Sequence, residues 1–312
     1  MNRKDFIANI SQDFYISQLS LAEISEKYSI SRYLVNKYLK DARDSGIVKI
    51  EINMPTTRNV ELEQEIKKAF NIQNVYVIRF AENPNDTIQN TINFAADHIQ
   101  SLIHNNDIVG TAWGGTIYEV ISKFQSKVLE NVTFTQFMGE NMKYNSSVGT
   151  TRMVERAAYK FSANYLTMVG PLYIVNDDVR QGLANEISIR KTFAAAKRMN
   201  LIFTGLGTLS SVNSIPAWHQ GINDIFPNVN TDEIVGMVYG RPYDIDGRFL
   251  NLGADKTFGI DLANILATPR RVAVVKSKFK TNAALGALRG GLITDLITTE
   301  SVANRILTDQ NN

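Results

Sequence analysis

Apolar runs of strand length alternate with longer helical patterns from about residue 60 to the end of this chain. The strand-length runs are 75–80, 108–112, 132–137, 201–204 and 271–275. The helical patterns are 61–70, 87–104, 116–127, 149–163 and 185–198. Such alternation is typical of a parallel sheet covered by helices on both faces. The sequence therefore predicts a doubly wound α/β domain over most of its length.

Length and composition set the class of protein. The chain has 312 residues, of which 44% are apolar and 21% charged, as in an ordinary globular protein of about two domains. It has no cysteine, which excludes disulfide scaffolds, thiolate metal sites and cysteine nucleophiles. The first residues are charged and no apolar run reaches the length of a membrane span. We expect a cytoplasmic protein without a membrane partner.

The first 54 residues have a different pattern, which predicts three helices and a short strand. The first helix is expected over 3–18, and the strand over 47–52. Ser20 and Glu23 have the spacing of a capping box at the start of the second helix. The turn-rich stretch 54–59 is the best candidate for a linker. The predicted domains are therefore 1–54 and 55–312.

The second and third predicted helices have the features of a helix-turn-helix. Ala22 provides the small residue that such a first helix needs, and Ile24 its core position. The turn lies at 28–30, with Ile30 directed inward. Ser31 is the expected N-cap of the third helix, which would be anchored by Leu34, Val35, Leu39 and Ala42.

The remaining faces of the third helix concentrate positive charge. Residues 31–43 contain four basic residues and one acidic residue, although the whole chain has a net charge of only +2. A helix that docks beside DNA phosphates requires such charge. The candidate DNA-binding residues are Ser31, Arg32, Tyr33, Asn36, Lys37, Lys40 and Arg43. A helical bundle that mediates oligomerisation is the alternative.

A glycine-rich turn follows the predicted strand at 108–112. Gly114, Gly115 and Thr116 stand between this strand and a helical pattern. Glycines expose backbone N–H groups, and the start of a helix carries partial positive charge, so this is a candidate anion site. The segments 138–141, 205–208 and 276–280 also follow strands and could reach the same crevice. Each segment could equally be a βα turn or loop that binds no ligand.

Motifs for catalysis or metal binding are not evident. The three histidines, His98, His104 and His219, lack metal-ligand spacing, and there is no nucleophile elbow. No carboxylate pair stands out as an acid–base dyad. We therefore expect no catalytic residue, no metal and no cofactor.

Several segments, in order along nearly the whole chain, resemble the SorC family of bacterial transcriptional regulators. They are AEISEKYSISRYLVNKYLKDARDSGIVKI, DIVGTAWGGT, VGPLYIVNDDVR, LIFTGLGTL, GRPYDIDGRFLN and KTNAALGALRGGLITDLITTESVANRIL. The resemblance implies an N-terminal winged helix-turn-helix and a larger domain similar to phosphosugar isomerases. It also implies a homotetramer that binds operator DNA near genes of sugar catabolism and takes a phosphorylated sugar as effector.

The resemblance further implies which residues hold the effector. The phosphate would be bound by Gly114, Gly115 and Thr116 with support from Lys280, while Gly139 would line the same pocket. Asp244 corresponds to a family loop near the ligand. The predicted function is thus a DNA-binding regulator of a carbohydrate-utilisation operon, rather than an enzyme. A phosphosugar isomerase or deaminase is the alternative, because the fold alone allows it.

Overall fold

The computed structural model describes residues 2–50, 57–141 and 150–310. The chain divides into two compact units, Met1–Pro55 and Thr56–Asn312. Residues 51 and 52 of the predicted strand, 54–56 of the predicted linker and 149 of a predicted helix lie outside the described residues. In the described part of the chain, we find no helix with the length and apolarity needed to span a membrane.

The first unit is a three-helix cluster made of α1 (Arg3–Tyr15), α2 (Leu21–Lys27) and α3 (Arg32–Asp44). One apolar residue or more from each helix enters the core: Ile10, Ile24, Val35 and Leu39. Of the expected anchors, Ile24, Val35, Leu39 and Ala42 are buried, and Ile30 packs against the core from the turn. The prediction was wrong for Leu34, which is only half-buried and is not part of this core.

Local hydrogen bonds start each helix of the predicted helix-turn-helix. The capping box is confirmed, because the Ser20 side chain accepts from the Glu23 backbone N–H and the Glu23 carboxylate accepts from that of Ser20. Ser31 caps α3 by accepting from the Leu34 backbone N–H at 3.3 Å. Between the helices, Ser29 adopts a left-handed conformation with φ of 52°. This residue lets the chain reverse within a three-residue turn.

Two features at the end of the first unit differ from expectation. Residues 47–50, the predicted beginning of a strand, form a bend at 47 and 48 and no strand. The alternating apolar residues there have no partner strand among the described residues, and Ile50 is exposed. Arg58, predicted to lie in the linker, instead bridges to Ile78 and pairs with Glu63. That end of the linker is therefore attached to the second unit.

The second unit is built on a seven-stranded sheet whose strand pairs are all parallel. Its strands are β1 (Asn74–Ile78), β2 (Ile108–Thr111), β3 (Thr133–Thr135), β4 (Asn164–Leu166), β5 (Leu201–Gly205), β8 (Arg270–Val275) and β9 (Asp295–Thr299). Their order is β1-β9-β8-β5-β2-β3-β4. A separate antiparallel hairpin pairs β6 (Gly236–Val238) with β7 (Arg241–Tyr243).

Helices of the second unit cover both faces of the sheet. They are α4 (Val60–Phe70), α5 (Pro84–Ser101), α6 (Gly115–Lys123), α7 (Thr150–Phe161), α8 (Asp177–Ala184), α9 (Ile187–Ala196), α10 (Leu209–Asn213), α11 (Pro216–Gln220), α12 (Ile222–Ile225), α13 (Leu262–Leu266), α14 (Thr281–Arg289) and α15 (Glu300–Gln310). One apolar core contains residues of α5, α6 and α7, and another contains residues of α4, α14 and α15. The prediction of a doubly wound α/β fold is confirmed.

Three strand features were missed in the sequence. β4 is short and partly exposed, and β9 contains buried polar residues that interrupt its apolar run. Asp295 in β9 is fully buried because its carboxylate pairs with Arg270. The hairpin turns at Tyr239 and Gly240, which both have positive φ. Its formation depends on this backbone conformation, which the periodicity of apolar residues does not report.

Candidate functional site

The outer face of α3 presents the residues predicted to contact DNA. All seven are exposed: Ser31, Arg32, Tyr33, Asn36, Lys37, Lys40 and Arg43. At 100° per residue, those within the helix fall in a sector of about 140°, beside the core-facing side of Val35, Leu39 and Ala42. Tyr33 is notable because 74% of this large side chain is exposed at the first turn of the helix.

The basic side chains on this face are not neutralised by ion pairs in the described part of the chain. None of the four basic residues there, Arg32, Lys37, Lys40 and Arg43, forms an ion pair with a described carboxylate. Of the two acidic residues of α3, Asp41 lies 3.4 Å from the guanidinium of Arg3 in α1, and Asp44 is the last residue of the helix. The charges of α3 are thus available to an external polyanion.

A cavity of about 270 Å³ opens in the second unit at the carboxyl ends of four strands. It is lined by segments that follow β2, β3, β5 and β8. In the sheet, β3 and β4 lie on one side of β2, whereas β5 and β8 lie on its other side. The cavity therefore lies at the point where the winding of the sheet reverses, which is where open α/β sheets bind ligands.

The glycine-rich turn forms one wall of this cavity. Gly114, which precedes α6, has φ of 131°, a conformation that strongly favours glycine. No side chain caps α6, and the backbone N–H groups of Gly115, Thr116 and Ile117 have no partner among the described residues. A Cβ atom at Gly114 or Gly115 would meet open space. The turn therefore offers bare N–H groups at a helix N-terminus, as an anion site requires.

Lys280 adds a cation to the same cavity. Burial, with a further contribution from the nearby Lys276, lowers the pKa of the Lys280 amine below its usual range. The ammonium of Lys276 is itself paired with Glu119 at 2.5 Å, whereas Lys280 has no carboxylate partner among the described residues. Because an anion beside Lys280 would replace the solvation that burial removes, this lysine favours an anionic ligand.

Aromatic and apolar side chains make up much of the remaining lining, and sequence reasoning missed them. Trp113, Tyr173, Trp218 and Tyr239 line the cavity, and the rings of Tyr173 and Trp218 meet edge to face at 4.9 Å between centroids. Trp113 directly precedes the predicted glycines, and this position could have identified it as a lining residue. His219, which follows Trp218, is exposed and contacts Asn213 at 3.2 Å, so it does not line the cavity.

Two of the predicted effector residues do not line the cavity. Gly139 packs against backbone, because a Cβ there would lie 2.5 Å from the Pro171 carbonyl oxygen; its neighbours Met138 and Asn141 line the cavity instead. The Asp244 carboxylate accepts from the backbone N–H groups of Asp246 and Arg248, at 3.0 and 2.8 Å, and so closes its own turn. The structure therefore brings together Gly114, Gly115, Thr116 and Lys280.

Comparison with protein families identifies most of the chain. Residues 54–308 match the family described as "Putative sugar-binding domain". This match begins near the boundary between the two compact units and ends within α15. The domain that contains the cavity is thus a member of a sugar-binding family.

Curated relatives extend over nearly the full length. An uncharacterized transcriptional regulator, YjhU, of Escherichia coli (strain K12) is 27% identical over 309 residues, which is 94% of this chain and 92% of the relative. The sorbitol operon regulator of Klebsiella pneumoniae is 22% identical over 96% of this chain and 97% of its own. The deoxyribonucleoside regulator of Bacillus subtilis (strain 168) is 23% identical over 95% of each chain.

Solved structures share the fold. The full-length sorbitol operon regulator SorC of Klebsiella pneumoniae superposes with a TM-score of 0.70 at 22% identity, covering 97% of this chain and 99% of that one. A transcriptional regulator of Streptococcus pneumoniae TIGR4 gives a TM-score of 0.71 at 20% identity, over 81% of this chain and 98% of that one. Both likenesses concern the fold.

Proposed function

Since this chain belongs to the SorC family of sugar-binding transcriptional regulators, we propose that it is a DNA-binding regulator of a carbohydrate-utilisation operon. In this proposal α3 binds operator DNA and the cavity binds a phosphorylated sugar at the Gly114–Thr116 turn. The effector changes operator affinity by a coupling free energy that is typically about 1–3 kcal/mol. The protein acts in the cytoplasm.

The observation that carries the proposal is the exposed, unpaired positive charge of α3 in a helix-turn-helix. Arg32 and Tyr33 stand at the first turn of the helix, where base edges and the nearest phosphates are reached. Asn36 and Lys37 lie one helical turn further along, where they contact the groove of the DNA in this proposal. Lys40 and Arg43 follow along the same face, where we assign them to the phosphate backbone.

The cavity supports the effector half of the proposal. The uncapped start of α6 supplies N–H donors, and the half-buried Lys280 amine supplies a positive charge that is partly desolvated. Together they suit a phosphate monoester, which carries close to two negative charges at neutral pH. The aromatic lining suits the carbon skeleton of a sugar.

Family relatives support the kind of operon that we propose. Two of them are named the sorbitol operon regulator and the deoxyribonucleoside regulator, so these names point to carbohydrate metabolism. We further propose a homotetramer. A single recognition helix rarely gives specific affinity, and paired helices fit a palindromic operator.

The test is fluorescence anisotropy of the full-length protein on DNA from upstream of its own operon. A scrambled duplex at about 150 mM salt is the control, because non-specific binding is largely electrostatic. Each titration is repeated with a panel of phosphorylated sugars. We expect tighter binding to the operon DNA and a shift caused by one class of phosphosugar. Equal binding to both duplexes, or turnover of a phosphosugar, would contradict the proposal and favour the enzyme alternative.

A further inference from the structure

The linker end, residues 57–59, is attached to the edge of the sheet by side chains as well as by backbone. Arg58 pairs with Glu63 of α4, as described above. Asn59 donates its backbone N–H to the Val77 carbonyl at 2.8 Å, and its side-chain oxygen caps α4. The place where the chain enters the second unit is therefore fixed by these contacts.

Glu300 contacts the linker end from the opposite end of the sequence. One of its carboxylate oxygens accepts from the Asn59 side-chain amide at 2.6 Å, and the other accepts from the Phe80 backbone N–H at 3.0 Å. Glu300 is the first residue of α15 and directly follows β9. We call this pair of hydrogen bonds the Glu300 clasp. It joins the linker end, the end of β1 and the start of α15 through a single side chain.

The Glu300 clasp and the cavity lie at the same edge of the sheet. β9 stands between β1 and β8 and is parallel to both, so the segments that follow these three strands lie side by side. After β8 the chain forms a short 3-10 helix, Lys278–Lys280, whose last residue lines the cavity. This 3-10 helix lies against α15. The segment that carries Lys280 thus contacts the helix that begins at Glu300.

An anion in the cavity changes the forces on this segment. Lys280 is half-buried, and it has no carboxylate partner among the described residues, whereas Lys276 is held by Glu119 of α6. An anion at the α6 turn attracts the Lys280 amine toward α6, and the backbone of the 3-10 helix moves with it. Because packed elements shift between discrete arrangements, α15 responds at its contacts, and the Glu300 clasp is one of them.

We infer that Glu300 couples the cavity to the DNA-binding unit, through a clasp on Asn59 whose closed and open forms differ in affinity for the anion. This inference rests on the proposed function and adds how that function is regulated. In the closed form Glu300 holds Asn59 and the linker end is fixed. In the open form the linker end is released from α15, which changes the freedom of α3 to engage operator DNA. Glu300 is a positioning residue, since it does not line the cavity and lies outside α3.

Asn59→Asp opens the clasp and keeps the cap of α4. The new carboxylate still accepts from the Leu62 backbone N–H, but it repels Glu300 where the amide donated. The test is fluorescence anisotropy of the full-length protein on operon DNA, with and without glucose 6-phosphate, fructose 6-phosphate or ribose 5-phosphate. We expect the active ester to change operator affinity by about 5-fold or more in the wild type and by less than about 2-fold in Asn59→Asp.

Asn83→Asp is the matched control. Asn83 caps α5 in the same way and its amide donates to the Asp86 carboxylate, so the chemical change is the same but does not touch Glu300. This variant should keep the wild-type response to the ester.

A double variant, Asn59→Asp with Glu300→Gln, exchanges the donor and the acceptor of the clasp. The introduced amide N–H donates to the introduced carboxylate, and the amide oxygen accepts from the Phe80 backbone N–H. The response to the ester should return to within about 2-fold of the wild type. A merely structural role of either residue would not produce this rescue.

Hydrogen exchange of the Phe80 amide reports the clasp directly, because this N–H donates to Glu300. The active ester should change its exchange rate by about 3-fold or more in the wild type. An unchanged rate would contradict the inference. So would a response to the ester that survives in Asn59→Asp, is lost in Asn83→Asp or is not restored in the double variant, with all variants folded by circular dichroism. These outcomes leave the proposed function intact. If none of the esters changes the operator affinity of the wild type, the proposed function fails and the clasp fails with it.

Discussion

The helices α3 and α6 both present positive potential to an anion, but they generate it in opposite ways. α3 carries it on long side chains such as Arg32 and Lys37, which stand exposed on one face and are spread along the helix. α6 begins at two glycines and presents uncapped backbone N–H groups at the edge of a cavity. The lysine beside these groups comes from a distant part of the chain.

This difference separates two kinds of recognition. Exposed charges on flexible stems follow a long polyanion and are strongly screened by salt. Fixed N–H groups beside a partly desolvated lysine select a small anion by geometry and are screened less. Adding a side chain should therefore damage the α6 site most, whereas removing one should damage α3 most.

The largest effect is expected from Gly115→Asp. The Cβ position of Gly115 is open, so the variant should fold, but its carboxylate enters the space where an anion would bind. Repulsion between like charges should reduce effector affinity by about 100-fold or more while operator affinity stays unchanged. Calorimetry with the effector and anisotropy with operator DNA measure the two affinities.

Gly253→Asp is the matched control for this variant. Gly253 also faces open space and does not line the cavity. The Gly253→Asp variant should therefore retain the effector response. An equal loss of effector and operator binding in Gly115→Asp would break the division between the two helices.

The next largest effect is expected from Lys280→Met. Loss of a charge-assisted contact should weaken effector binding by about 10-fold or more. Burial lowers the pKa of Lys280, so the amine is protonated below that lowered value and neutral above it. In the wild type, affinity should fall as pH rises through the pKa of this lysine, and Lys280→Met should lose that alkaline fall. Lys278→Met, an exposed neighbour, is the control and should behave as the wild type.

Arg32→Ala sharpens the comparison from the side of α3. Removing one phosphate- or base-contacting group should weaken operator binding about 5–10-fold and make the slope of log K against log salt shallower by about 1. Effector affinity should not change. Anisotropy titrations at several salt concentrations measure the slope, with Arg190→Ala as a control on another exposed helix. A variant with wild-type operator affinity would remove Arg32 from the DNA interface.

The smallest effect is expected from Asp13→Asn, which tests how the helix-turn-helix is held. The carboxylate of Asp13 accepts from Lys27 and from the Tyr28 hydroxyl at 2.7 Å, and these hydrogen bonds lower its pKa. The substitution should lower the free energy for opening α2 by about 0.5–1 kcal/mol at neutral pH, because the Lys27 partner is half exposed. Hydrogen exchange of α2 amides in the full-length protein measures it.

The pH dependence of this effect has a defined sign. A carboxyl group whose pKa is lowered by folding stabilises the fold above its unfolded pKa, of about 3.9. That stabilisation disappears as pH falls through the folded pKa. The difference between Asp13→Asn and the wild type should therefore shrink in acid. An exposed control, Asp44→Asn, should show no such trend, and a constant difference at all pH values would contradict the assignment.

The sequence predicted the parts of the fold that depend on local pattern. The buried strands β2, β5 and β8 are nearly continuous apolar runs, which is what a sheet covered on both faces requires. The caps at Ser20 and Ser31 follow from side chains that reach only three residues along the chain. β9 was not predicted because the buried charge of Asp295 interrupts its apolar pattern. That charge is neutralised by Arg270, which is distant in sequence.

For the candidate sites, sequence reasoning located the glycine turn and the exposed face of α3, and it missed the aromatic lining of the cavity. The Gly114–Thr116 turn is recognisable because strand, glycines and helix are adjacent in the chain. The exposed face of α3 follows from helical periodicity. Trp218 and Tyr173 reach the cavity from separate segments, and the hairpin at Tyr239 depends on positive φ in a residue that seldom adopts it. These features depend on tertiary packing, which no single window of sequence reports.

The position of β9 has a consequence for biosynthesis. This strand is the last of the sheet to be made, yet it pairs with β1 on one side and β8 on the other. About 220 residues separate Asn74 of β1 from its partner Asp295 in β9, so at about 5–20 residues per second β1 waits about 11–44 s during synthesis for its partner strand. The three-helix unit, whose contacts are local, folds within that interval. Each nascent chain therefore carries a folded helix-turn-helix before its sheet is complete, and in that interval β1 has no paired strand.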